Sequence, residues 1–451
     1  MSYTEVAYAE SPYAASPDSA SSPSITAPLI PDLQIMFSPS TGPYATPSWV
    51  DITAYVRQRT SIVIRRGRDH ALDDTIAGSL TLELDNSGRV FDPLYSAGPY
   101  YGMLGPNKQI QVRATWSGVT YYLFTGLVDG LEQRYDRSDN DATVMVRASD
   151  VFRLLARRDF RPANTWTLDR SDGSSRLDDG RQLADNRPSL DVQRAGDRIG
   201  QIAATVGITS TQIDTGASAL HADVPEDDNV LDYFRRCART DLGFVFVAGD
   251  GTLTFHDRHR SRTDSSGATS QLTVGDTTSH TVRYHDIRFD PADERVMVNH
   301  ARCGRSGTKP AVAKDRTSVS DHGEQVSDRS DLLFASRRDA GDQAKYLVDR
   351  YGSPRPRVAS VTLVPRRHTS AWSSVLGFEL GTRVTVERWP LGVGSTFSQE
   401  SLIESVEHRI DLNRIDWRTT WALSAADTGS YFRLDRSDGT SRLDNNVTIG
   451  Y

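Results

Sequence analysis

The fold is decided by two runs, IAGSLTLEL at residues 76–84 and QIQVRATWSGVTYYLFTGLV at residues 109–128. In both, apolar residues alternate with polar ones, as in the first run from Leu80 to Leu84. A period of two places successive side chains on opposite faces of a strand, so the runs predict antiparallel strands with one buried face. Ser117-Gly118 interrupts the second run and predicts a tight hairpin turn.

Size and composition limit the classes of protein to consider. A chain of 451 residues is too long for one core, and its length predicts about three domains. The hydrophobic content of 37% is low for a compact enzyme but sufficient for several small β domains. The net charge of -7 disfavours a general nucleic-acid-binding surface.

Cysteine and lysine usage give two further indications. Cys237 and Cys303 are far apart and form no CxxC pair, so we expect two reduced thiols. Only four of the 52 basic residues are lysines, which indicates GC-rich coding. No run approaches the ~20 apolar residues of a membrane-spanning helix, so no membrane insertion is expected.

The order of predicted elements divides the chain into five segments. Strand patterns lie before and after a stretch of amphipathic helices that includes a hairpin turning at Asp250-Gly251. The predicted fold class is mainly β with an α+β insertion. The segments are an extended Ser/Pro/Ala-rich arm (1–32), a first β domain (33–158), a hairpin insertion (159–190), an α+β domain (191–270) and a second β domain with a C-terminal hairpin (271–451).

One sequence occurs twice with a single change. LDRSDGSSRLD at 168–178 returns as LDRSDGTSRLD at 434–444. The aspartates suggest a calcium loop, but the Asp-x-Asp-x-Asp-Gly order and the glutamate at the twelfth position are missing. A strand pair turning at each Asp-Gly is the favoured interpretation, and docking hairpins for neighbouring subunits are a further hypothesis.

Candidate chemical groups are few. His256, Asp257 and His259 suggest a metal cluster, but the two histidines point to opposite faces of a strand, so a solvated hairpin end is favoured. Asp227 and Asp228 suggest acid/base carboxylates, but they precede a predicted helix, whose N-terminus favours negative charge. No nucleophile elbow, phosphate loop or zinc spacing occurs, although carboxylate pairs among 59 acidic residues stay open. We therefore predict no enzyme, no catalytic residue, no cofactor and no metal.

A family resemblance covers the organising block and its surroundings. It is carried by RRGR at 65–68, LDN at 84–86, FDP at 91–93, PYY at 99–101, RATW at 113–116 and LFTG at 123–126. These strings resemble the minor tail proteins of long-tailed bacteriophages that infect actinobacteria. The helix and hairpin near residues 228–255 are similar to a unit of phage baseplate hub proteins.

The resemblance implies two tube-type β-barrel or sandwich domains, each with an adjacent helix, plus a small helix-and-hairpin domain. It implies a trimeric baseplate hub at the tail tip of the virion, assembled in the host cytoplasm, which adapts the six-fold tail to a three-fold tip. The expected partners are other copies of the chain, the distal tail protein, the tape measure protein, and other minor tail proteins or fibres. DNA would pass through the lumen without specific binding.

Two alternatives stay open. A distal tail protein would form a hexameric ring with a single ring domain per chain. A host-surface module would bind glycan through Tyr100-Tyr101 and Tyr121-Tyr122, although tyrosines in such positions also serve as core or interface residues.

Overall fold

The structure is a computed structural model, and the part of the chain it describes begins at Ile30. The described residues are 30–135, 141–160, 190–225, 229–290, 296–354, 356–390 and 394–426, together with the backbone at 168–169 and 176–177. The architecture is mainly β with few helices, as predicted. Asp227, Asp228 and the second copy of the repeat lie outside the described residues.

The first part of the chain is a curved antiparallel sheet. Its strand order is β2-β1-β5-β6-β7-β4-β3. The elements are β1 (Asp32–Ser38), β2 (Val50–Asp51), β3 (Ile62–Gly67), β4 (Ile76–Asp85), β5 (Gln109–Trp116), β6 (Val119–Arg134), β7 (Thr143–Ser149) and the short helix α1 (Phe152–Leu155). We call β1 and β3 to β7 the first module.

The predicted alternation is confirmed in this module. Leu80, Leu82 and Leu84 are buried in a core to which all six strands contribute. Ser117 and Gly118 have φ values of 50° and 79° and join β5 to β6 by the predicted two-residue turn. Two positive φ values match the right-handed twist of the flanking strands.

The middle of the chain contains two longer helices and a short sheet. Its elements are β8 (Leu168–Asp169), β9 (Arg176–Leu177), β10 (Gln193–Arg194), α2 (Ala195–Thr205), β11 (Thr211–Ile213), β12 (Ala219–Leu220), α3 (Val230–Asp241), β13 (Phe244–Val247), β14 (Leu253–His256), α4 (Arg260–Thr263) and α5 (Ser265–Ala268). β13 and β14 form the hairpin predicted around Asp250-Gly251. β8 and β9 pair antiparallel, as expected for the first copy of the repeat.

The last part of the chain holds a closed barrel that is interrupted by a smaller sheet. Its elements are β15 (Thr273–Gly275), β16 (Val282–Asp290), β17 (His300–Arg305), β18 (Ala311–Lys314), α6 (Arg316–His322), β19 (Val326–Leu332), α7 (Arg337–Tyr351), β20 (Arg357–Leu363), α8 (Trp372–Gly377), β21 (Arg383–Arg388), β22 (Phe397–Asp411) and β23 (Asp416–Ala425). The barrel runs β22-β21-β15-β16-β20-β23 and closes because β23 pairs back onto β22. We call these six strands the second module.

Several local predictions are wrong. Asp191 and Ser149 are residue types that predict helix caps. The structure instead begins α2 at Ala195 after Arg194, without a side-chain cap, and Asp150 rather than Ser149 accepts from the backbone N–H of Phe152. The polar composition of residues 261–270 predicts a linker, but the structure has most of α4 and all of α5 there. The small sheet β18-β17-β19, against which α7 packs, was not predicted as a separate unit.

The two modules share one apolar contact region. Trp372 of α8 and Trp417 of β23 belong to the same buried cluster as the first-module core, and Trp372 also contacts Trp116. His408 lies beside them, fully enclosed, and its Nδ1 accepts a hydrogen bond from Trp417 Nε1 at 3.3 Å. Burial, aided by the charge of Arg66, lowers the pKa of His408 to about 3.

This burial predicts acid sensitivity. Between pH 6.5 and about 3 the unfolded chain binds a proton at His408 that the folded chain cannot bind. The free energy of unfolding therefore falls as the pH falls, by about 1.4 kcal/mol per pH unit for one proton. In urea unfolding of His408→Gln, the unfolding free energy should change less steeply with pH over this window, by the equivalent of about one proton. The control is His322→Gln at an exposed position of α6, which should follow the wild-type slope; an unchanged slope in His408→Gln would contradict the assignment.

The two cysteines and the helices add two observations. Cys237 and Cys303 are free and buried, and burial raises the pKa of the Cys237 thiol to about 12. In the described part of the chain, no helix is both long and apolar enough to cross a membrane.

Candidate functional site: the module junction and the open sheet edges

The two modules are joined by direct strand pairing. β3 of the first module pairs antiparallel with β22 of the second, from Ile62 opposite Ile410 to Gly67 opposite Ser405. The backbone hydrogen bonds of the two modules therefore form one continuous thirteen-stranded sheet among the described strands. Strand pairing of this kind fixes both spacing and register.

Gly67 is the point of closest approach in this junction. Its φ is +104°, and a Cβ placed there would lie 2.2 Å from the carbonyl oxygen of Glu404. The next residue, Arg68, donates its backbone N–H to the same oxygen at 2.9 Å. Only glycine meets both requirements, because it adopts this backbone conformation readily and leaves the space empty.

Arg66 forms hydrogen bonds with three separate parts of the chain. Its Nε donates to the carbonyl of Leu123 at 3.0 Å, and its Nη1 donates to the carboxylate of Glu379 at 2.7 Å and to the carbonyl of Val247 at 3.3 Å. The Arg66 side chain is only 6% exposed. A buried guanidinium needs such partners, since removing Glu379 would leave its charge uncompensated and removing a carbonyl would leave an N–H without an acceptor.

Arg68 makes the second ion pair of the junction. Its Nε lies 2.7 Å from the carboxylate of Glu404, whose side chain is 4% exposed, and its guanidinium stacks over Phe244 at 4.0 Å. A buried ion pair contributes little net stability because of its desolvation cost, but it fixes geometry. Within the RRGR string, Arg66 hydrogen-bonds to three parts of the chain, Gly67 makes the close backbone contact and Arg68 forms the ion pair.

The two modules share one strand order. When the six strands of each module are numbered along the chain, with the two-residue β2 left aside, both sheets run 1-4-5-6-3-2. Four of the five neighbouring pairs are antiparallel in both modules, and the pair 1-4 is antiparallel in the first and parallel in the second. Strands 1 and 2 also pair in the second module, through β15 and β16, which closes the barrel.

Both modules also have the same irregularity. Strand 5 is long in each, with 16 residues in β6 and 15 in β22, and each changes its partner partway along. At that point each has a register shift, which leaves Asp129 and Glu404 without a paired residue. Each carboxylate binds an arginine, Arg153 at 2.5 Å and Arg68 at 2.7 Å. A bulge at the same strand position supports structural equivalence of the modules.

Comparison of the two equivalent modules identifies two strand edges that are largely unpaired among the described strands. The second half of β22 is paired on both sides, by β23 and by β3. The second half of β6, from Gly130 to Arg134, is paired by β7 alone among the described strands. On β16, the edge opposite β20 is paired among the described strands by β15 alone, at Val282 and Arg283. Unpaired ladders of this kind are ready to accept a strand from another chain.

The residues singled out from the sequence do not converge on a chemical site. His256 packs against Phe246, and burial lowers the pKa of its imidazole to about 4. Asp257 accepts from the backbone N–H of His259, as expected for a loop after a strand. Within the described residues no group of three or more His, Cys, Asp or Glu side chains is placed to hold a metal ion.

The structure places the cap of α3 and the four tyrosines, whereas Asp227 and Asp228 lie outside the described residues. Asn229 caps α3 by accepting from the backbone N–H of Asp232, one position beyond the predicted carboxylates. Tyr100 and Tyr121 pack against the first-module core, whereas Tyr101 and Tyr122 are exposed.

Sequence reasoning missed the junction itself. Arg66 and Glu379 are 313 residues apart, and no local pattern connects them. A usable signal was the glycine within RRGR, because a glycine inside a strand often indicates a close backbone approach.

No family model and no curated protein matches the sequence. Solved structures do match. The chain is similar to a tail protein from Neisseria meningitidis MC58 at 11% identity and a TM-score of 0.53, over 88% of this chain and 96% of that one. It is also similar to a 43 kDa tail protein of prophage MuSo2 from Shewanella oneidensis, at 15% identity and a TM-score of 0.47, over 87% and 97%. The Neisseria likeness shows a shared overall fold.

Replacing Gly67 tests the junction. Gly67→Ala should lower the free energy of unfolding by roughly 3 kcal/mol or more, because the methyl group collides with the backbone of Glu404. Gly118→Ala is the control, since Gly118 also has a positive φ but no atom within 4 Å of its Cβ position. It should cost about 1 kcal/mol from backbone strain alone. If urea unfolding gives the same loss of unfolding free energy for Gly67→Ala and Gly118→Ala, the junction tolerates the methyl group and the prediction is wrong.

Proposed function

We propose that the chain is a structural protein of a phage virion, a trimeric baseplate hub at the tail tip. The observation that supports it is the duplicated strand order, together with the β3 to β22 joint. A chain with two equivalent ring modules gives six modules from three copies. Such an assembly adapts a six-fold tail to a three-fold tip.

The closure mechanism follows from the joint within one chain. Strand 2 of the first module pairs with strand 5 of the second. In a ring of equivalent modules, strand 2 of the second module, β16, pairs with strand 5 of the next copy's first module, β6. Among the described strands, those two edges are largely unpaired in a single chain. Closed symmetry of this kind satisfies both edges with the same type of contact.

The proposal includes the surroundings expected of such a hub. The distal tail protein and the tape measure protein lie above the ring, and other minor tail proteins or fibres surround it. DNA passes through the lumen without specific contacts, consistent with the net charge of -7. The high arginine content is consistent with a phage of an actinobacterial host. The five-segment division of the chain stays part of this proposal, as does assembly in the host cytoplasm.

The alternatives receive less support. A hexameric distal tail protein needs one ring module per chain, whereas this chain carries two with the same strand order. A glycan platform needs adjacent exposed aromatic rings, but Tyr100 and Tyr121 pack inward. Fold similarity to tail proteins gives no support to an enzymatic role.

The oligomeric state of the purified protein tests whether three copies associate. Multi-angle light scattering should give three times the chain mass of 49.9 kDa. Glu132→Arg with Asp286→Arg places excess positive charge on both open edges at exposed positions, so it should weaken association at least tenfold. A wild-type monomer at all concentrations would contradict the proposal.

The matched control changes two exposed aspartates away from both edges. Asp321→Arg with Asp349→Arg, on α6 and α7, makes the same change in net charge and should stay trimeric. Equal loss of association in the two double variants would reject the β16 and β6 edges as the contact. Circular dichroism of each variant verifies that the chains fold.

A further inference from the structure

A cavity lies where the units of the chain meet. It is lined by α3, by α7, by β19 of the small sheet and by residues of the module junction, and its volume is about 160 Å³. About 10–15 Å³ of such space is enough for one water molecule, so the cavity holds several. The space therefore suits a small ligand rather than a macromolecule.

The charge of the lining is strongly unbalanced. Seven arginines face the cavity, against three carboxylates. Two of the carboxylates are already paired with an arginine each, Glu404 with Arg68 at 2.7 Å and Asp74 with Arg239 at 3.4 Å. Arg235 is paired outside the lining, with Asp232 at 3.1 Å. The lining as a whole carries more arginines than carboxylates, which favours an anion over a cation as its ligand.

Arg329 is the most informative of these arginines. It lies on β19, and among the described residues it forms no hydrogen bond and no ion pair. Burial lowers the pKa of its guanidinium, and the charge of Arg239 acts in the same direction. A guanidinium has five N–H donors. Within the described part of the chain none of those of Arg329 is bonded to a carboxylate, and Asp74 acts on its charge only at longer range.

We propose that this cavity binds a small tetrahedral oxyanion of the phosphate class, with Arg329 as its central ligand. Guanidinium groups match phosphate oxygens with paired hydrogen bonds, which a chloride ion cannot accept in the same way. The bound anion offsets the surplus charge and links α3, α7, the small sheet and the module junction. The site therefore stabilises the relative placement of these units, independently of any ring formation.

Calorimetric titration of the full chain with inorganic phosphate tests the site. Wild-type protein in chloride buffer should bind one phosphate per chain, with saturation. Arg329→Met removes the charge and keeps a long apolar side chain, so it should weaken phosphate binding at least tenfold. Arg338→Met is the control, because Arg338 on α7 is 90% exposed, and it should bind like the wild type.

Thermal unfolding gives a second readout. Phosphate stabilises many proteins by exclusion from their surface, so a general rise in Tm is expected in every variant. The proposal predicts an additional, saturable rise in the wild type and in Arg338→Met that is absent from Arg329→Met. In chloride alone, Arg329→Met should be at least as stable as the wild type, since it removes an uncompensated charge.

Three results would overturn the proposal. Wild-type protein without saturable phosphate binding would remove the site. Unchanged binding by Arg329→Met would place the ligand elsewhere. If Arg329→Met does not fold, Arg329→Gln takes its place, and tight phosphate binding by that variant would have the same meaning.

Discussion

The backbone contact between Gly67 and Glu404 is the constraint on which the architecture depends. It permits β3 to lie against β22, so that two sheet modules far apart in sequence share one hydrogen-bonded ladder. Arg66 and Arg68 then hold the contact from both sides through Glu379 and Glu404. Strand pairing supplies the register, and the two ion pairs fix the side-chain geometry beside the contact.

This joint also explains why the two modules differ despite a common strand order. In the second, β15 pairs with β16 and closes the barrel. In the first, β3 is occupied by β22, and its sheet stays open between β1 and β3. Among the described strands, one edge of each module is thus satisfied inside the chain, and one stays largely unpaired, on β16 and on the second half of β6. One repeated contact between copies would pair these two remaining strand edges with each other.

Local features of this fold were predictable from sequence, and long-range ones were not. The hairpin at Ser117-Gly118 and the cap of α7 at Ser336 follow from turn and capping chemistry within a few residues. The joint of β3 with β22 has no local signal, because any half-buried strand can pair with many others. β19, which reads VSDRSDL, was missed because its polar sequence lacks the expected alternation. The arginine cavity was missed since its members come from six separate elements and loops.

Cryo-electron microscopy of the purified protein tests the central claim most directly. The account predicts end-on views with six similar lobes from three copies around a central channel. The six boundaries should alternate between the β3 to β22 joint within a chain and a β16 to β6 contact between chains. A particle in which the outer edge of β16 and the second half of β6 both face solvent would contradict it.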